Sequence, residues 1–243
     1  MLILRKSDYN FSESKDHTTY YGKDGIVPSS TTVLKILNKE SLIHWANMLG
    51  WKRKRVKDEL ESTSLIGTAA HNVVEQIIRH PEKDLLNIMY SEDILKNQLN
   101  LDERDLAINA IHSFNKWWKH NSNKIDIIDI EKQMSCDTYG GTLDFVCKYN
   151  GKLVIIDFKT SKDFYFTQFL QLASYANLYK INEHEEVEDV AILRLDKKYG
   201  EEAELLFMSQ LPCGSLSRYI KIFNKLVDIY YDVHSLETEW KHL

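Results

Sequence analysis

The chain has 243 residues, of which 43% are hydrophobic and 28% charged, a composition typical of a globular protein with a sizeable core. Its formal net charge of −5 excludes a global basic field, so nucleic acid would have to be attracted by a local basic surface. Three scattered cysteines without a CxxC pair argue against a disulfide framework or a zinc knuckle and favour a reducing compartment.

Targeting signals are not evident in the sequence. The first ten residues carry charges too early for a signal peptide, and no apolar run approaches the length of a membrane span. We therefore expect a cytoplasmic protein without a membrane partner. The compact size and the Lys-, Asn- and Ile-rich composition suggest a phage or a low-GC bacterium as source, and a phage protein would act in the host cytoplasm.

The N-terminal part of the chain is predicted to be mainly helical. Residues 5–26 predict a short hairpin or ordered loop, and residues 28–37 combine a proline turn and Ser/Thr caps with a helical apolar period. Further helices are predicted over 41–60, 67–80, 91–99 and 102–120, with Gly50 a weak point in the first. We expect residues 1–65 to form a hairpin and helical extension packed on a core of residues 66–243.

Strand patterns begin after residue 120. Strands are predicted at 125–134, 141–149, 152–158, 188–195 and 203–209. Helices are predicted over about 165–181, between the third and fourth strands, and over 215–233 at the end. This order of strands and helices predicts an α/β fold.

One predicted hairpin carries unexpected charges. Asn150-Gly151 between two strand patterns is typical of a two-residue type I′ turn. Counting back from that turn places Asp144 directly opposite Asp157. The same register sets Thr142 opposite Lys159. One face of the hairpin is then wholly apolar, and the other carries the charge near its far end.

Two opposed carboxylates repel each other unless they share a proton or bind a cation. Carboxylate oxygens are the ligands that Mg²⁺ and Mn²⁺ prefer, so a divalent cation between Asp144 and Asp157 would remove the penalty. Lys159 lies on the same face, near enough to contact a phosphate or a metal-bound water. The alternative is a surface hairpin whose charges face solvent, which the strongly apolar surroundings disfavour.

These residues resemble the split signature of the PD-(D/E)XK nuclease superfamily. The segment GTLD ends at Asp144, and IIDFK contains Asp157 and Lys159. The resemblance implies a restriction-endonuclease-like core, in which helices flank a central mixed β-sheet. It also implies hydrolysis of phosphodiester bonds with Mg²⁺ or Mn²⁺ as cofactor.

Further motifs are similar to the RecB-like branch of that superfamily. The helical segment GTAAH ends at His71, and QLASY contains Gln171 and Tyr175. The early segments VPSSTTVL and HWAN look like phage and mitochondrial-genome-maintenance exonucleases. The resemblance covers roughly residues 20–180. Some members of the branch hold an iron–sulfur cluster on four cysteines, which this chain lacks, so no cluster is expected.

The resemblance implies roles for these residues. Asp144 and Asp157 would bind the metal, with His71 and the backbone carbonyl of Phe158 as further ligands. Lys159 would orient or activate the attacking water and stabilise charge on the phosphate.

Four more residues complete the expected site. Gln171 and Tyr175 would hold the active site or the DNA backbone, and Glu131 matches a frequent acidic position of the family. Glu75 lies one turn after His71 on the same helix face and is another possible ligand. The residues themselves leave other readings open, since His71 fits a core histidine and Gln171 and Tyr175 fit an ordinary amphipathic helix.

A basic run packs five cations into the seven residues WKRKRVK. It is either a phosphate-binding surface or a solvated helix face. The candidates for DNA binding are Trp51, Lys52, Arg53, Lys54 and Arg55, together with Thr160, Ser161 and Lys162 after the last charged strand residue. Tryptophan beside cations could stack on bases.

The sequence thus predicts a metal-dependent DNA exonuclease that acts on single strands or DNA ends in replication, recombination or repair. By resemblance, the cut leaves a 5′-phosphate. The alternatives are a flap endonuclease of the same fold, a catalytically silent DNA-binding module and an RNA-processing nuclease.

Overall fold

A computed structural model of the protein describes residues 18–37 and 40–241. The N-terminal part contains a two-stranded hairpin and six helices, which are β1 Tyr20–Gly22, β2 Gly25–Val27, α1 Ser30–Leu34, α2 Glu40–Trp51, α3 Val56–Arg79, α4 Leu85–Ser91, α5 Asp93–Asn97 and α6 Leu101–Asn121. The remainder contains β3 Ile125–Ser135, β4 Gly140–Tyr149, β5 Lys152–Lys159, α7 Phe166–Glu183, β6 Asp189–Arg194, β7 Glu204–Phe207 and α8 Leu216–Lys241. Short 3₁₀ turns follow α6 and β7.

The large sheet has five strands in the order β3-β4-β5-β6-β7. The pairs β3–β4, β4–β5 and β6–β7 are antiparallel, and β5–β6 is parallel, with α7 as the crossover. The sheet is therefore mixed and flanked by helices, which confirms the predicted α/β class and its restriction-endonuclease-like architecture. Within the described residues, none of the helices is both long and apolar enough to cross a membrane.

Both faces of the sheet are covered, so β5 is buried along almost its whole length. Ile156 and Phe158 point into the core shared with α3 and α6, whereas Ile155 packs in the core shared with α7 and α8. The predicted apolar face of the hairpin contacts α3 and α6 through residues such as Phe145 and Ile156, but Leu143, expected on the same face, packs in the core shared with α7 and α8. The charges lie at the end of a central strand, between the two helical layers.

The predicted turn is present, since Asn150 and Gly151 both have positive φ, 50° and 81°. Its register holds for five pairs, from Tyr149↔Lys152 to Phe145↔Ile156. It then ends, so the predicted ladder pairs Asp144–Asp157 and Thr142–Lys159 do not form.

Beyond that point β5 continues against β6 as far as Lys159↔Arg194. The carboxylate of Asp144 accepts a hydrogen bond from the N–H of Phe158 at 2.8 Å, so a side chain rather than the β4 backbone binds the end of β5. This contact is the physical reason for the early end of the ladder.

The helix predicted over 41–60 is two helices, because α2 ends at Trp51 and α3 begins at Val56. Arg53, between them, adopts a left-handed φ of 56° that ends α2. Helix α3 then runs without a break past residue 65, so the predicted boundary between extension and core falls inside one helix and stays a prediction.

Other boundaries also differ. The helix predicted over 28–37 is the five-residue α1, and the one predicted over 91–99 is the shorter α5. Helix α4 was not predicted, and α8 continues past 233 to Lys241. Within 5–26, the hairpin begins at Tyr20, and residues before 18 lie outside the described part of the chain.

Two glycines allow neighbouring elements to lie close together around the end of β5. A Cβ atom on Gly67 of α3 would lie 3.4 Å from the hydroxyl of Thr160, immediately after β5. A Cβ atom on Gly141 of β4 would lie 2.5 Å from the ring of Tyr175 in α7. The absence of a side chain at Gly141 therefore lets α7 lie against the sheet beside Asp144.

Candidate active site

Three potential metal ligands converge at the end of the β4–β5 hairpin. One ligand atom each from His71 of α3, Glu131 of β3 and Asp144 of β4 lies within 4.8 Å of the other two. His71 Nδ1 is 3.7 Å from Asp144 Oδ2, the same oxygen that binds the N–H of Phe158. Three separate elements thus aim ligands at one point.

Glu131 reaches this point because β3 is distorted there. The pairs Ile130↔Phe145 and Lys132↔Leu143 enclose it, so Glu131 stands level with Asp144 on the next strand. Its φ is +54°, a left-handed conformation rare in strands. The pKa of Glu131 is raised to about 8, first by burial and then by repulsion from Asp144 and neighbouring carboxylates.

Asp157 and Lys159 form a pair beside this group. Asp157 is 1% exposed, and its Oδ2 lies 2.5 Å from Lys159 Nζ. That contact has the distance of an ion pair, but neither carboxylate oxygen of Asp157 has a well-aligned hydrogen-bond partner among the described residues. Burial raises the pKa of Asp157 to about 7, Lys159 opposes this, and Asp144 adds to it.

Lys159 remains a cation in this setting. Burial alone would lower its pKa, but the carboxylates of Asp157 and Asp144 outweigh burial and raise it above the ordinary value. His71 behaves in the opposite way, since burial lowers its pKa more than Asp144 raises it. At neutral pH the imidazole is therefore uncharged, the form that binds metals.

These residues fit a divalent metal ion. Ligand atoms about 2.1 Å from Mg²⁺ lie ~3 Å apart when adjacent and ~4.2 Å apart when opposite. The ligand atoms of His71, Glu131 and Asp144 all lie within 4.8 Å of one another, so side-chain adjustment would bring them onto one ion. The pKa values of Glu131 and Asp157 are raised first by desolvation and then by repulsion from Asp144, and a cation would relieve that repulsion. The unpartnered oxygens of Asp157 point to the same need.

The expected ligand set differs from the geometry in two respects. Asp157 is not part of the group of three and instead pairs with Lys159, whereas Glu131, expected only as a possible ligand, is a member of the group. The other possible ligand, Glu75, accepts a hydrogen bond from Arg79.

Arg79 is a residue that the sequence reasoning missed. It stands one turn after Glu75, a spacing that predicts the ion pair between them. Nothing in the pattern indicates its second contact, with the backbone of β3.

Gln171 and Tyr175 lie together on α7, as their spacing predicted. Gln171 Nε2 donates to the Tyr175 hydroxyl at 2.6 Å, and Tyr175 is 5% exposed. The pKa of Tyr175 is raised, first by burial and then by Asp157 and Asp144, which places its hydroxyl near both carboxylates. The pair therefore borders the acidic group from the α7 side.

The basic run forms the connection between α2 and α3. Trp51 is 90% exposed. Lys54 pairs with Glu59 at 2.5 Å and Arg55 with Asp58 at 3.5 Å. Lys52 and Arg53 are exposed and form no ion pair within 18–37 and 40–241, which leaves these two cations available to a ligand.

The segment after β5 is more enclosed than that run. Thr160 is buried. The Ser161 hydroxyl donates to the backbone carbonyl of Asp163 and accepts from Gln168, so that hydroxyl serves local structure. Lys162 is exposed.

A cleft of about 700 Å³ lies between the N-terminal helices and α7. Its walls include Trp45 and Leu42 of α2 and Leu60 of α3. Gln171 also lines it, so the cleft reaches the residue that borders the acidic group.

Comparisons with known proteins identify the family. A family model described as the PD-(D/E)XK nuclease superfamily matches residues 32–229. The chain belongs to this superfamily, whose members are nucleases that use divalent metals.

Two solved structures are similar to parts of the chain. One, from Eubacterium rectale and described as a "putative exonuclease", has 12% identity, a TM-score of 0.39, and coverage of 66% of this chain and 64% of that one. The other, SSO0001, has 15% identity, a TM-score of 0.27, and coverage of 69% and 74% respectively. The match thus spans about two thirds of the first structure's length, and no curated protein sequence matches the chain.

Proposed function

We propose that the protein is a metal-dependent DNA exonuclease that acts on single strands or DNA ends. The observation that carries the proposal is the convergence of His71, Glu131 and Asp144 beside the buried Asp157–Lys159 pair. A nuclease of this superfamily needs an acidic metal site with an adjacent cation, and this is the one group of three potential ligands in the described part of the chain.

Within this proposal, His71, Glu131 and Asp144 would hold Mg²⁺ or Mn²⁺, with Asp157 and the carbonyl of Phe158 as further ligands. The metal would supply a bound water of lowered pKa and neutralise the scissile phosphate. Hydrolysis would form a bond between a water oxygen and phosphorus and break the bond from phosphorus to the 3′ oxygen, which would leave a 3′-hydroxyl and a 5′-phosphate.

The chain's own residues orient this reaction. Lys159 is protonated, and it places a fixed positive charge where negative charge grows on the phosphate. Gln171 and Tyr175 hold each other by a hydrogen bond and present polar groups to the DNA backbone or to the metal-bound water.

The preference for a single strand is supported by the cleft and the exposed basic run. The cleft is walled by apolar side chains, among them Trp45, that suit unstacked bases, and it reaches Gln171. Lys52 and Arg53 are available to contact phosphates, next to the exposed ring of Trp51 and on the connection that precedes Val56, which lines the cleft. Replication, recombination or repair of DNA is the process in which such an activity would serve.

The test compares end-labelled linear and circular single-stranded DNA, a flap substrate and an RNA of the same sequence, each with Mg²⁺, Mn²⁺ or EDTA. We expect metal-dependent release of short products from linear DNA and no cutting of circles. Lys159→Ala should remove activity, and Lys148→Ala, an exposed lysine near the opposite end of β4, should not.

Three other outcomes would contradict the proposed exonuclease activity on DNA. Cutting of circles or selective cutting of flaps would replace the exonuclease by an endonuclease, and faster cutting of RNA would replace the substrate class. Binding of DNA without cutting of any substrate would leave a DNA-binding module.

A further inference from the structure

Arg79 connects the helix that carries His71 to the strand that carries Glu131. Its Nε donates to Glu75 Oε1 at 2.7 Å, and its Nη2 donates to the backbone carbonyl of Ile130 at 2.9 Å. His71, Glu75 and Arg79 follow one another at four-residue spacing, so they share one face of α3. We call the Arg79–Glu75 pair and its bond to Ile130 the arginine clamp.

The clamp acts on the peptide unit that precedes Glu131. The carbonyl of Ile130 and the N–H of Glu131 belong to one rigid plane, so a hydrogen bond to that oxygen fixes the orientation of the plane. The φ of Glu131 is the rotation about the bond from its N atom, which lies in this plane, to its Cα atom. The value of +54° is unfavourable for a residue with a side chain. Such a conformation persists only when neighbouring contacts hold it.

We propose that Arg79, oriented by Glu75, is a positioning residue that holds the Ile130–Glu131 peptide and so keeps the Glu131 carboxylate on the metal with His71 and Asp144. The inference rests on the proposed function, because it assumes that this group binds a divalent ion. Arg79 touches neither the metal nor the substrate, and it acts through Glu131.

Arginine is required for this geometry because its planar guanidinium donates in two directions at once. A lysine at the same position reaches either Glu75 or the carbonyl of Ile130 with a single ammonium group. The carboxylate of Glu75 also balances the charge of Arg79, so the pair contributes orientation rather than net charge.

Orientation and simple electrostatics predict opposite effects on metal affinity. If Arg79 mattered only as a nearby positive charge, its removal would make a cation bind more tightly. If Arg79 holds Glu131 in place, its removal makes the cation bind more weakly. Substitution of a residue that orients a metal ligand typically weakens metal binding by about 10–100-fold, and we expect an effect of this size here.

The experiment measures Mn²⁺ binding by calorimetry and by electron paramagnetic resonance, on the full chain without DNA. We expect Arg79→Ala to raise the Kd for Mn²⁺ by about 10–100-fold, and Arg79→Lys and Glu75→Gln to raise it less. Arg104→Lys is the matched control, since Arg104 also donates to a backbone carbonyl, that of Lys96 at 2.7 Å, away from the site. It should leave the Kd unchanged.

A double-mutant cycle with Glu131→Ala tests whether the effect passes through Glu131. In that background, Arg79→Ala should cause no further loss of Mn²⁺ affinity. An unchanged or lower Kd in both Arg79 variants would overturn the inference, and so would a full additive effect in the Glu131→Ala background. Thermal melting accompanies each titration, and if Arg79→Ala does not fold, the result for Arg79→Lys decides.

Failure of the proposed function gives a different pattern. In that case the unaltered protein binds no Mn²⁺, or binds it with an affinity that His71→Ala leaves unchanged, and the inference falls with it. Failure of the inference alone leaves a protein whose Mn²⁺ binding depends on His71 and Asp144 but not on Arg79.

Discussion

The carboxylate of Asp144 accepts a hydrogen bond of 2.8 Å from the backbone N–H of Phe158, and this contact marks the place where β4 and β5 stop pairing. The same oxygen lies 3.7 Å from His71 Nδ1. One side chain therefore joins the end of the hairpin to the proposed metal site, so its structural and catalytic contributions can be separated by substitution.

Asp144→Asn should separate the two contributions, because the amide oxygen still accepts from Phe158 but carries no charge. We expect the free energy of unfolding to change little while Mn²⁺ affinity and nuclease activity fall at least about 100-fold. Asp144→Ala leaves the N–H of Phe158 unpaired and should in addition cost about 1–3 kcal/mol of stability. Urea unfolding and Mn²⁺ titration of both variants check this, and wild-type affinity in Asp144→Asn would remove Asp144 from the ligands.

Local sequence rules predicted the hairpin but not its end. Asn150-Gly151 demands positive φ at two successive positions, and that demand determines the register as far as Phe145↔Ile156. Whether Asp144 binds a backbone N–H or faces its neighbour on the ladder depends on the helices packed above it. The sequence therefore brought Asp144 close to Asp157, but the predicted pairing of the two across the ladder was wrong.

The distorted residue of β3 and the contacts of α3 were beyond sequence reasoning for a related reason. A left-handed glutamate has no local signature, so Glu131 was expected only from resemblance and Arg79 was not expected at all. The turn at Arg53 likewise separates α2 from α3, although the helical pattern of the sequence continues through it. Backbone hydrogen bonds form this turn without a glycine or a proline at its centre, so the sequence did not indicate it.

Removal of the cation beside Asp157 should destabilise the metal-free protein in a pH-dependent way. Lys159→Met leaves Asp157 buried and unpaired, which costs about 3–5 kcal/mol when the carboxylate is charged and less when it is protonated. We therefore expect a larger loss of unfolding free energy at pH 8 than at pH 5. Asp157→Asn/Lys159→Met should recover much of the stability but none of the activity.

The matched control is Lys180→Met, which breaks an exposed pair with Glu186 and should cost less than about 1 kcal/mol. Equal losses for Lys159→Met and Lys180→Met would show that the buried pair is no more important to stability than a surface pair. Activity retained in the double variant would exclude both residues from the reaction.

The stability of the metal-free protein should fall as the pH rises from 6.5 to 8.5. Folding raises the pKa of Glu131 from 4.5 to about 8, so in this range the folded state holds a proton that the unfolded state has lost. The unfolding free energy then decreases as the pH rises toward about 8, and Asp157, whose pKa is raised from 3.8 to about 7, contributes in the same sense at the lower end of the range. Burial lowers the pKa of His71 from 6.5, so His71 acts in the opposite sense at the low-pH end of this range.

Urea unfolding in EDTA across this range provides the measurement, and Glu131→Gln should flatten the dependence. Mn²⁺ should reverse the trend, since metal binding favours the deprotonated carboxylate. The same slope in Glu131→Gln as in the unaltered protein would assign the effect to another group.

The cations at the connection between α2 and α3 should contribute to the salt dependence of the Kd for single-stranded DNA. Lys52→Gln/Arg53→Gln removes the two cations of the basic run that form no ion pair in the described residues. If both contact phosphates of a single strand, the slope of log Kd against log salt should become less steep by about 1.4, or ~0.7 for each contact. Lys148→Gln/Lys152→Gln, beside the Asn150-Gly151 turn, removes two exposed lysines elsewhere and should leave the slope unchanged.

Trp51→Ala should weaken binding differently, because a stacked base contributes about 1–3 kcal/mol that depends little on salt. Fluorescence anisotropy with labelled single-stranded DNA at several salt concentrations, in Ca²⁺ to prevent cutting, distinguishes the two effects. If the double glutamine variant keeps the original slope, the basic run is a solvated helix end, and the strand must enter the cleft from another side. An unchanged affinity for Trp51→Ala would leave the exposed indole without a role in binding, whatever the charges contribute.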